Sequence, residues 1–434
     1  MTLLLTNEDV EQVLDMPASL EALEPAYREL STGGAVLRHQ SQTYLPGPLP
    51  DSSYCLKTVE GGSETFGVMA IRMTSDVLRA RQVEGRFRRE KVAAAPGGRF
   101  LGLVLLFSLE TGELLAIMPD GIIQRLRVGA SSALAARHLA RADAKTVGLI
   151  GAGNQAEAQL RGLACVRSLS QVRVYSPTSE RRRDFADRMS QELSASAGAG
   201  GAAERRAESA ARMADGLGSE AGPASAAEEP ARLAADALGS RPGGGPFEGL
   251  GSVANLATVV DPVAAGGLPA AIPAPVFRVV AVDSAEEAVR DVDIVVAATN
   301  SGEPVIDASW LQPGMHVSFI REFEADDATL ARADVLVVHT KQGEIDHYTP
   351  RGHEALADLQ RGRGFPWQRY PELADLIGGS APGRGDAQQL TMFMNNFGIG
   401  IQFAALGARA WRECRACGLG QDIPSDWFLE SLQP

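Results

Sequence analysis

Ten residues constrain this chain more than any others. Val147 to Ala156 reads Val-Gly-Leu-Ile-Gly-Ala-Gly-Asn-Gln-Ala, and with Thr146 it begins as a short apolar run that stops on glycine. The run predicts a buried strand, Thr146–Gly151, and the residues after it predict a helix, Gln155–Arg167. A strand that turns straight into a helix needs a parallel neighbour, because the helix carries the chain back across the sheet. In that turn Gly151 permits the bend, Gly153 lets the backbone approach a ligand, and Ala156 lets helix and strand pack closely. Asn154 and Gln155 open the helix, where unpaired N–H groups and the positive dipole end suit a pyrophosphate. A plain tight turn would carry similar letters; the strand before and helix after favour a dinucleotide site.

The texture on either side agrees. Val128–Arg141 reads as an Ala-rich helix, Val172–Tyr175 as a strand and Ser179–Leu193 as a helix. Val276–Val282, Asp293–Ala298, Met315–Ile320 and Val335–His339 are further short apolar strands, with a capping box Ser284–Glu287 between the first two. Alternation of this kind predicts a doubly wound parallel sheet. Earlier in the chain the pattern differs. Glu8–Leu14 and Ser19–Leu30 read as helices, the first behind Thr6 and Asn7 as N-cap candidates, and Tyr54–Val59 and Val68–Met73 read as strands. Phe100–Ser108 and Glu113–Met118 read as a β-hairpin, and Gln388–Gly418 returns to helix.

Composition removes other classes. Against 41 Lys and Arg stand 54 Asp and Glu, a net charge of −13, which argues against a nucleic-acid coat. The one basic run, Arg79–Lys91, is read as a solvated loop or a cofactor-phosphate contact, since only Phe87 is available for base stacking. No apolar run approaches the ~20 residues of a membrane span, and the first residues lack a signal peptide's pattern. The expected setting is cytoplasmic. Cys414 and Cys417 form a C-x-x-C inside a helical pattern with no second ligand pair, so they read as structural and no metal is expected. Ala195–Ala274 holds 24 Ala, 14 Gly and 7 Pro with Phe247 its one aromatic. Such a stretch cannot be ordinary core; it reads as a disordered insertion in a surface loop.

The second strand of the sheet bears on the cofactor. A site for NAD(H) usually places a carboxylate there for the ribose 2′-hydroxyl. Here Tyr175 is followed by Ser176, Pro177 and Thr178, with Arg181, Arg182 and Arg183 next. Hydroxyls and guanidiniums favour NADP(H), with NAD(H) the alternative. Thr299 and Asn300, past the strand Asp293–Ala298, are candidates for the nicotinamide-ribose side.

Arg127-Val-Gly-Ala-Ser-Ser-Ala, Val147–Ala156, Asp293–Asn300 and Trp310–Val317 occur in this order and at these spacings. In this the chain resembles the ornithine cyclodeaminase/mu-crystallin family. The resemblance implies a Rossmann-type domain at 128–320, interrupted by the insertion at 195–274. It also implies a split α+β substrate-binding and dimerisation domain from 1–127 and 321–434, and hence a homodimer. Arg38, Lys57 and Arg127 match positions that grip a substrate carboxylate, and Arg72 and Arg125 are further cationic candidates. Lys57, in an apolar strand, is also a candidate proton donor. The departures concern acids. Phe323 falls where cyclodeaminases of the family carry a catalytic Asp, with Glu322 and Glu324 on either side, and Phe403 falls where a second acid is expected. Glu322 is the expected substitute. The implied activity is hydride transfer between a nicotinamide and the α-carbon of a small amino or imino acid, as in imine reductases and amino-acid dehydrogenases. Cyclodeaminase chemistry with bound NAD and non-catalytic cofactor binding are the alternatives, and an interaction arm at Ala195–Ala274 is a fourth.

Overall fold

A computed structural model describes residues 1–49, 52–83, 86–198, 277–341, 346–353 and 365–431. They belong to one unit, Met1–Gly198 with Pro275–Pro434. The insertion expected at Ala195–Ala274 lies almost wholly outside them.

The N-terminal part builds a mostly antiparallel layer. β1 (Thr2–Leu4) is followed by α1 (Asn7–Val13), capped by Thr6, and by α2 (Met16–Thr32), capped by Asp15. Then come β2 (Ala35–Leu37), β3 (Ser41–Pro46), β4 (Ser52–Ser63), β5 (Val68–Val83), β6 (Arg86–Val92), β7 (Leu101–Ser108) and β8 (Leu114–Pro119). With later strands β15 (Asp346–Tyr348) and β17 (Gln421–Ile423) they form a ten-stranded sheet. One face of it is core: Val59, Ala70, Val104, Leu106, Ala116 and Met118 are buried there against α2, α3 (Gly121–Leu139) and the helix Gly400–Ala416. Its other face is apolar but open, with Leu45, Leu56, Leu101 and Tyr348 exposed.

The second layer is the expected parallel sheet. β9 (Thr146–Ile150) leads through α4 (Asn154–Val166) to β10 (Gln171–Tyr175), then α5 (Ser179–Gly198). β11 (Arg278–Ala281), β12 (Ile294–Ala297), β13 (His316–Phe319), β14 (Val335–Val338) and β16 (Thr391–Met394) complete it in the order β11-β10-β9-β12-β13-β16-β14. β12, β13 and β16 are buried at every position, as strands covered on both faces must be.

Several expectations change. Gln388–Gly418 is not one helix: Thr391–Met394 inserts between β13 and β14, and the helix begins only at Gly400. A run of four apolar residues ahead of a helix reads as that helix's first turn until neighbours on both sides are known. The parallel sheet therefore draws two strands from beyond residue 320, where its domain was expected to end. The basic run Arg79–Lys91 is a β-ribbon of β5 and β6 rather than a loop, with Lys91 paired to the buried Asp76 at 2.9 Å. Cys414 is a free, buried thiol whose Sγ contacts the carbonyl of Asp9, and burial pushes it up to about 12. Among the described residues no helix is long and apolar enough to cross a membrane.

Candidate active site

The sheet opens a crevice above the carboxyl ends of β9 and β12. β9, β10 and β11 step outward in chain order, and the chain then returns to the other side of β9 as β12. Doubly wound sheets bind ligands at that reversal. Gly151 makes the turn there with φ +117°, and a Cβ would lie 2.2 Å from the carbonyl oxygen of Ala298. Only glycine satisfies both conditions. At Gly153 a Cβ would meet nothing within 4 Å, so the loop borders open space. Gly153 is also the N-cap of α4, and no side chain caps that helix. Asn154 and Gln155 form its first turn, and Ala156 is fully buried against the sheet. A pyrophosphate fits this cradle: it would accept from the uncapped N–H groups where no Cβ stands in its way.

Beyond β10, Ser176 is half-buried while Thr178 and Arg181 are exposed. Arg182 organises this tip. It is buried, donates Nη1 to the Ser176 carbonyl at 3.0 Å, lies 5.9 Å from the Tyr175 ring centre and pairs with Asp283. A carboxylate thus reaches the tip from past β11, which the sequence near Tyr175 could not reveal; Asp283 is 101 residues from its partner.

On the other side of the crevice, Thr299 is half-buried and Asn300 exposed. Glu322, the expected acid–base group, is half-buried in the turn Glu322–Glu324, as is Phe323. The fully buried member of that turn is Glu324. Its Oε1 accepts from the Thr299 amide at 2.6 Å and hydroxyl at 2.7 Å, and its Oε2 from the amides of Ile320 at 2.9 Å and Arg321 at 3.0 Å. Burial pushes this carboxyl above its usual range, and the four hydrogen bonds oppose that shift.

The cationic candidates divide. Lys57 sits half-buried on the inner face of β4, in register with Gln42 on β3 and Thr74 on β5. Arg72 shares that face two residues along β5 and pairs with Asp120 through Nη2 at 2.6 Å and Nε at 2.8 Å. Arg127, on α3, and Arg72 lie 5.8 Å and 5.4 Å from the centre of the Phe403 ring. Those three residues are brought together. Arg38 is not among them: it is exposed and bonded at 3.2 Å to Glu60, whose side chain leaves β4 on the opposite face from Lys57. Arg125 is half-buried and reaches Glu11 at 3.4 Å.

Arg127 differs from the others. It is buried, and among the described residues no carboxylate lies within ion-pair distance. Its contacts are neutral: Nη1 reaches Oε1 of Gln402 at 3.4 Å and Nε reaches Gln124 at 3.3 Å. Burial, reinforced by the Arg72 charge, pulls its pKa down to about 9. A network fixes Gln402 in turn. Its amide donates to Tyr27 Oη at 3.0 Å and Ser131 Oγ at 2.7 Å, while its oxygen also accepts from the Ile399 amide. Tyr27 donates to His339 Nε2 at 2.6 Å, because His339 Nδ1 donates to the Phe397 carbonyl. Burial holds His339 neutral, down to about 3. Gly398 is pressed on the same guanidinium, where a Cβ would come within 2.8 Å. Sequence reasoning gave no role to Tyr27 or His339 and named Glu324 only as a neighbour of Phe323; for His339 the signal available was a polar residue closing the apolar run Val335–Val338.

A model of the ornithine cyclodeaminase/mu-crystallin family matches residues 1–210 and 270–408. The chain belongs to that family. The break in the match falls inside the Ala/Gly/Pro stretch. A Δ1-pyrroline-2-carboxylate reductase of Bacillus cereus is 23% identical over 331 residues, 74% of each chain. An alanine dehydrogenase of Archaeoglobus fulgidus is 22% identical over 97% of this chain and 98% of its own. Among solved structures, the Δ1-pyrroline-2-carboxylate reductase of Thermococcus litoralis, in complex with NADH and L-proline, superposes with a TM-score of 0.63 at 21% identity. That alignment covers 97% of this chain and 100% of the other. The likeness to that solved structure shows the fold, and Arg127 and the glycine loop lie within the residues that the family model matches.

Proposed function

We propose that this protein is a nicotinamide-dependent oxidoreductase that interconverts a small 2-imino acid and the 2-amino acid. The observation that carries the reading is Arg127, a buried guanidinium with no carboxylate in ion-pair distance among the described residues. A ligand carboxylate completes it with charge-assisted, bidentate bonds. Arg72, held in place by Asp120, and Arg127 both stand over the Phe403 ring, and Lys57 shares Arg72's face of the sheet from β4.

When bound, the nicotinamide supplies a hydride to the imine carbon, and the imine nitrogen takes a proton. The chain's part is to orient and protonate. Arg127 fixes the carboxylate, the apolar wall at Phe403 excludes water, and Lys57 holds the proton for the nitrogen, with Glu322 the second candidate. Gly151, Gly153, Asn154, Gln155 and Ala156 hold the dinucleotide's pyrophosphate, with Thr299 and Asn300 along its nicotinamide side. NADP(H) is the favoured form: Ser176, Thr178 and Arg181 offer hydroxyls and an exposed charge to a 2′-phosphate, and Arg182 offsets Asp283. NAD(H) is the alternative. The open apolar face of the ten-stranded sheet supports a homodimer, since a soluble monomer rarely exposes so continuous a patch.

The test is a substrate panel. Cyclic 2-imino acids, and 2-oxo acids with ammonia or methylamine, are offered with NADPH and with NADH. Loss of cofactor absorbance with at least one is expected. Ammonia release from ornithine or lysine with no net cofactor change would establish the cyclodeaminase instead. Tight cofactor binding with neither outcome would leave a non-catalytic binder.

A further inference from the structure

Glu324 occupies an unusual place in the crevice. The last paired residues of β12 and β13 are Ala297 and Phe319; beyond them the parallel ladder ends. The amides of Thr299, Ile320 and Arg321 therefore have no strand to bond to. Glu324 takes all three, one carboxylate oxygen for each strand end. The Thr299 hydroxyl donates to Oε1 and itself accepts from the Ser301 amide at 3.2 Å, which fixes the turn that carries Asn300. The Glu324 carbonyl also accepts from Val305, closing the loop on itself. All four side-chain contacts demand an acceptor. A carboxylate can serve both strand ends at once; an amide in its place turns an N–H toward an N–H on one side.

We propose that Glu324 is a positioning residue for the nicotinamide half of the dinucleotide. It clips the tips of β12 and β13 so that Thr299 and Asn300 stand at a fixed height over the crevice. The adenosine half lies over β10, on the far side of the glycine loop, and does not feel the clip. The inference rests on the cofactor reading above and adds a residue that touches no substrate.

The experiment compares two ligands by calorimetry on the full-length protein: the intact reduced dinucleotide in whichever form binds tighter, and its adenosine diphosphate fragment (ADP, or 2′-phospho-ADP for the phosphorylated form), which lacks the whole nicotinamide riboside. For Glu324→Gln, a tenfold or greater loss of dinucleotide affinity is expected, with affinity for the fragment within twofold of wild type. Equal losses for both ligands, or none for either, overturn the proposal. Should that variant fail to fold, judged by its circular dichroism melt, Glu324→Asp carries the test. Its shorter carboxylate cannot span both strand ends and is expected to cost the dinucleotide threefold or more and the fragment nothing; a cost shared by both ligands, or none, overturns the proposal there too. Wild-type protein that binds neither ligand overturns the cofactor reading itself and the proposal with it.

Discussion

Glu324 and Arg127 are both buried, and their surroundings are opposite. Glu324 is saturated: two backbone strand ends and a hydroxyl fill its oxygens. Arg127 is unsaturated: it too is buried, yet its side-chain hydrogen bonds go to two amide oxygens, an aromatic ring and a second cation stand beside it, and Asp120 acts on it only from beyond ion-pair distance. A buried charge costs several kcal/mol unless it is paired or hydrogen-bonded. The saturated one recovers that cost within the chain and so belongs to the architecture. The unsaturated one recovers it only when something anionic arrives. The difference separates a residue that shapes a site from one that receives a ligand.

The comparison breaks most easily at Arg127. Replacing it with Ala is expected to weaken binding of a 2-imino or 2-amino acid by roughly 100-fold or more, since each charge-assisted bond lost is worth about 1.5–3 kcal/mol. Dinucleotide affinity should stay within about twofold, and equilibrium titration of both ligands checks it. Unchanged amino-acid affinity would mean that the pocket is not the carboxylate site.

Gln402→Glu attacks the same contrast from the other side. It places a carboxylate beside Arg127 and saturates it internally. Amino-acid affinity is expected to fall by roughly tenfold or more while the melting temperature holds or rises. A variant with wild-type affinity would show that the neutrality of Gln402 is incidental.

Two buried imidazoles set a smaller, pH-dependent effect. Burial pulls His316 and His339 from 6.5 down to about 3. The unfolded chain takes up these protons near pH 6.5 and the folded chain refuses them until about pH 3. In between, the unfolded state binds more protons, so stability falls as pH falls. Melting temperatures recorded from about pH 7 to 4 should decline steadily through that window. A flat profile would mean that one or both rings are solvated.

How much of this was legible in the sequence follows from range. The glycine turn, its strand and its helix are encoded in consecutive residues, so Gly151, Gly153 and Ala156 were readable, and so was the alternation that makes a parallel sheet. Motif order identified the family and offered Arg127 and Lys57 as candidates. Where contacts are long-range the reading slipped. Thr391–Met394 looked like the start of a helix because its strand partners lie 75 residues back in the case of His316 and Thr391. Arg38 matched a motif position, yet β4 turns its partner Glu60 to the far face. Glu322 and Glu324, with Phe323 between them, look alike in sequence, and only the fold shows that Glu324 turns inward to the strand ends.

By itself, then, the sequence determined the fold class, the dinucleotide turn and the family, since these depend on local periodicity and on residues a few positions apart. The tertiary structure alone decided which charges are satisfied. Asp120 reaches Arg72 and Asp283 reaches Arg182, Glu324 fills itself with amides, and Arg127 is left beside Gln402. Pairing is a matter of distance in space, and a guanidinium is written with the same letter whether it is neutralised or still waiting for a carboxylate.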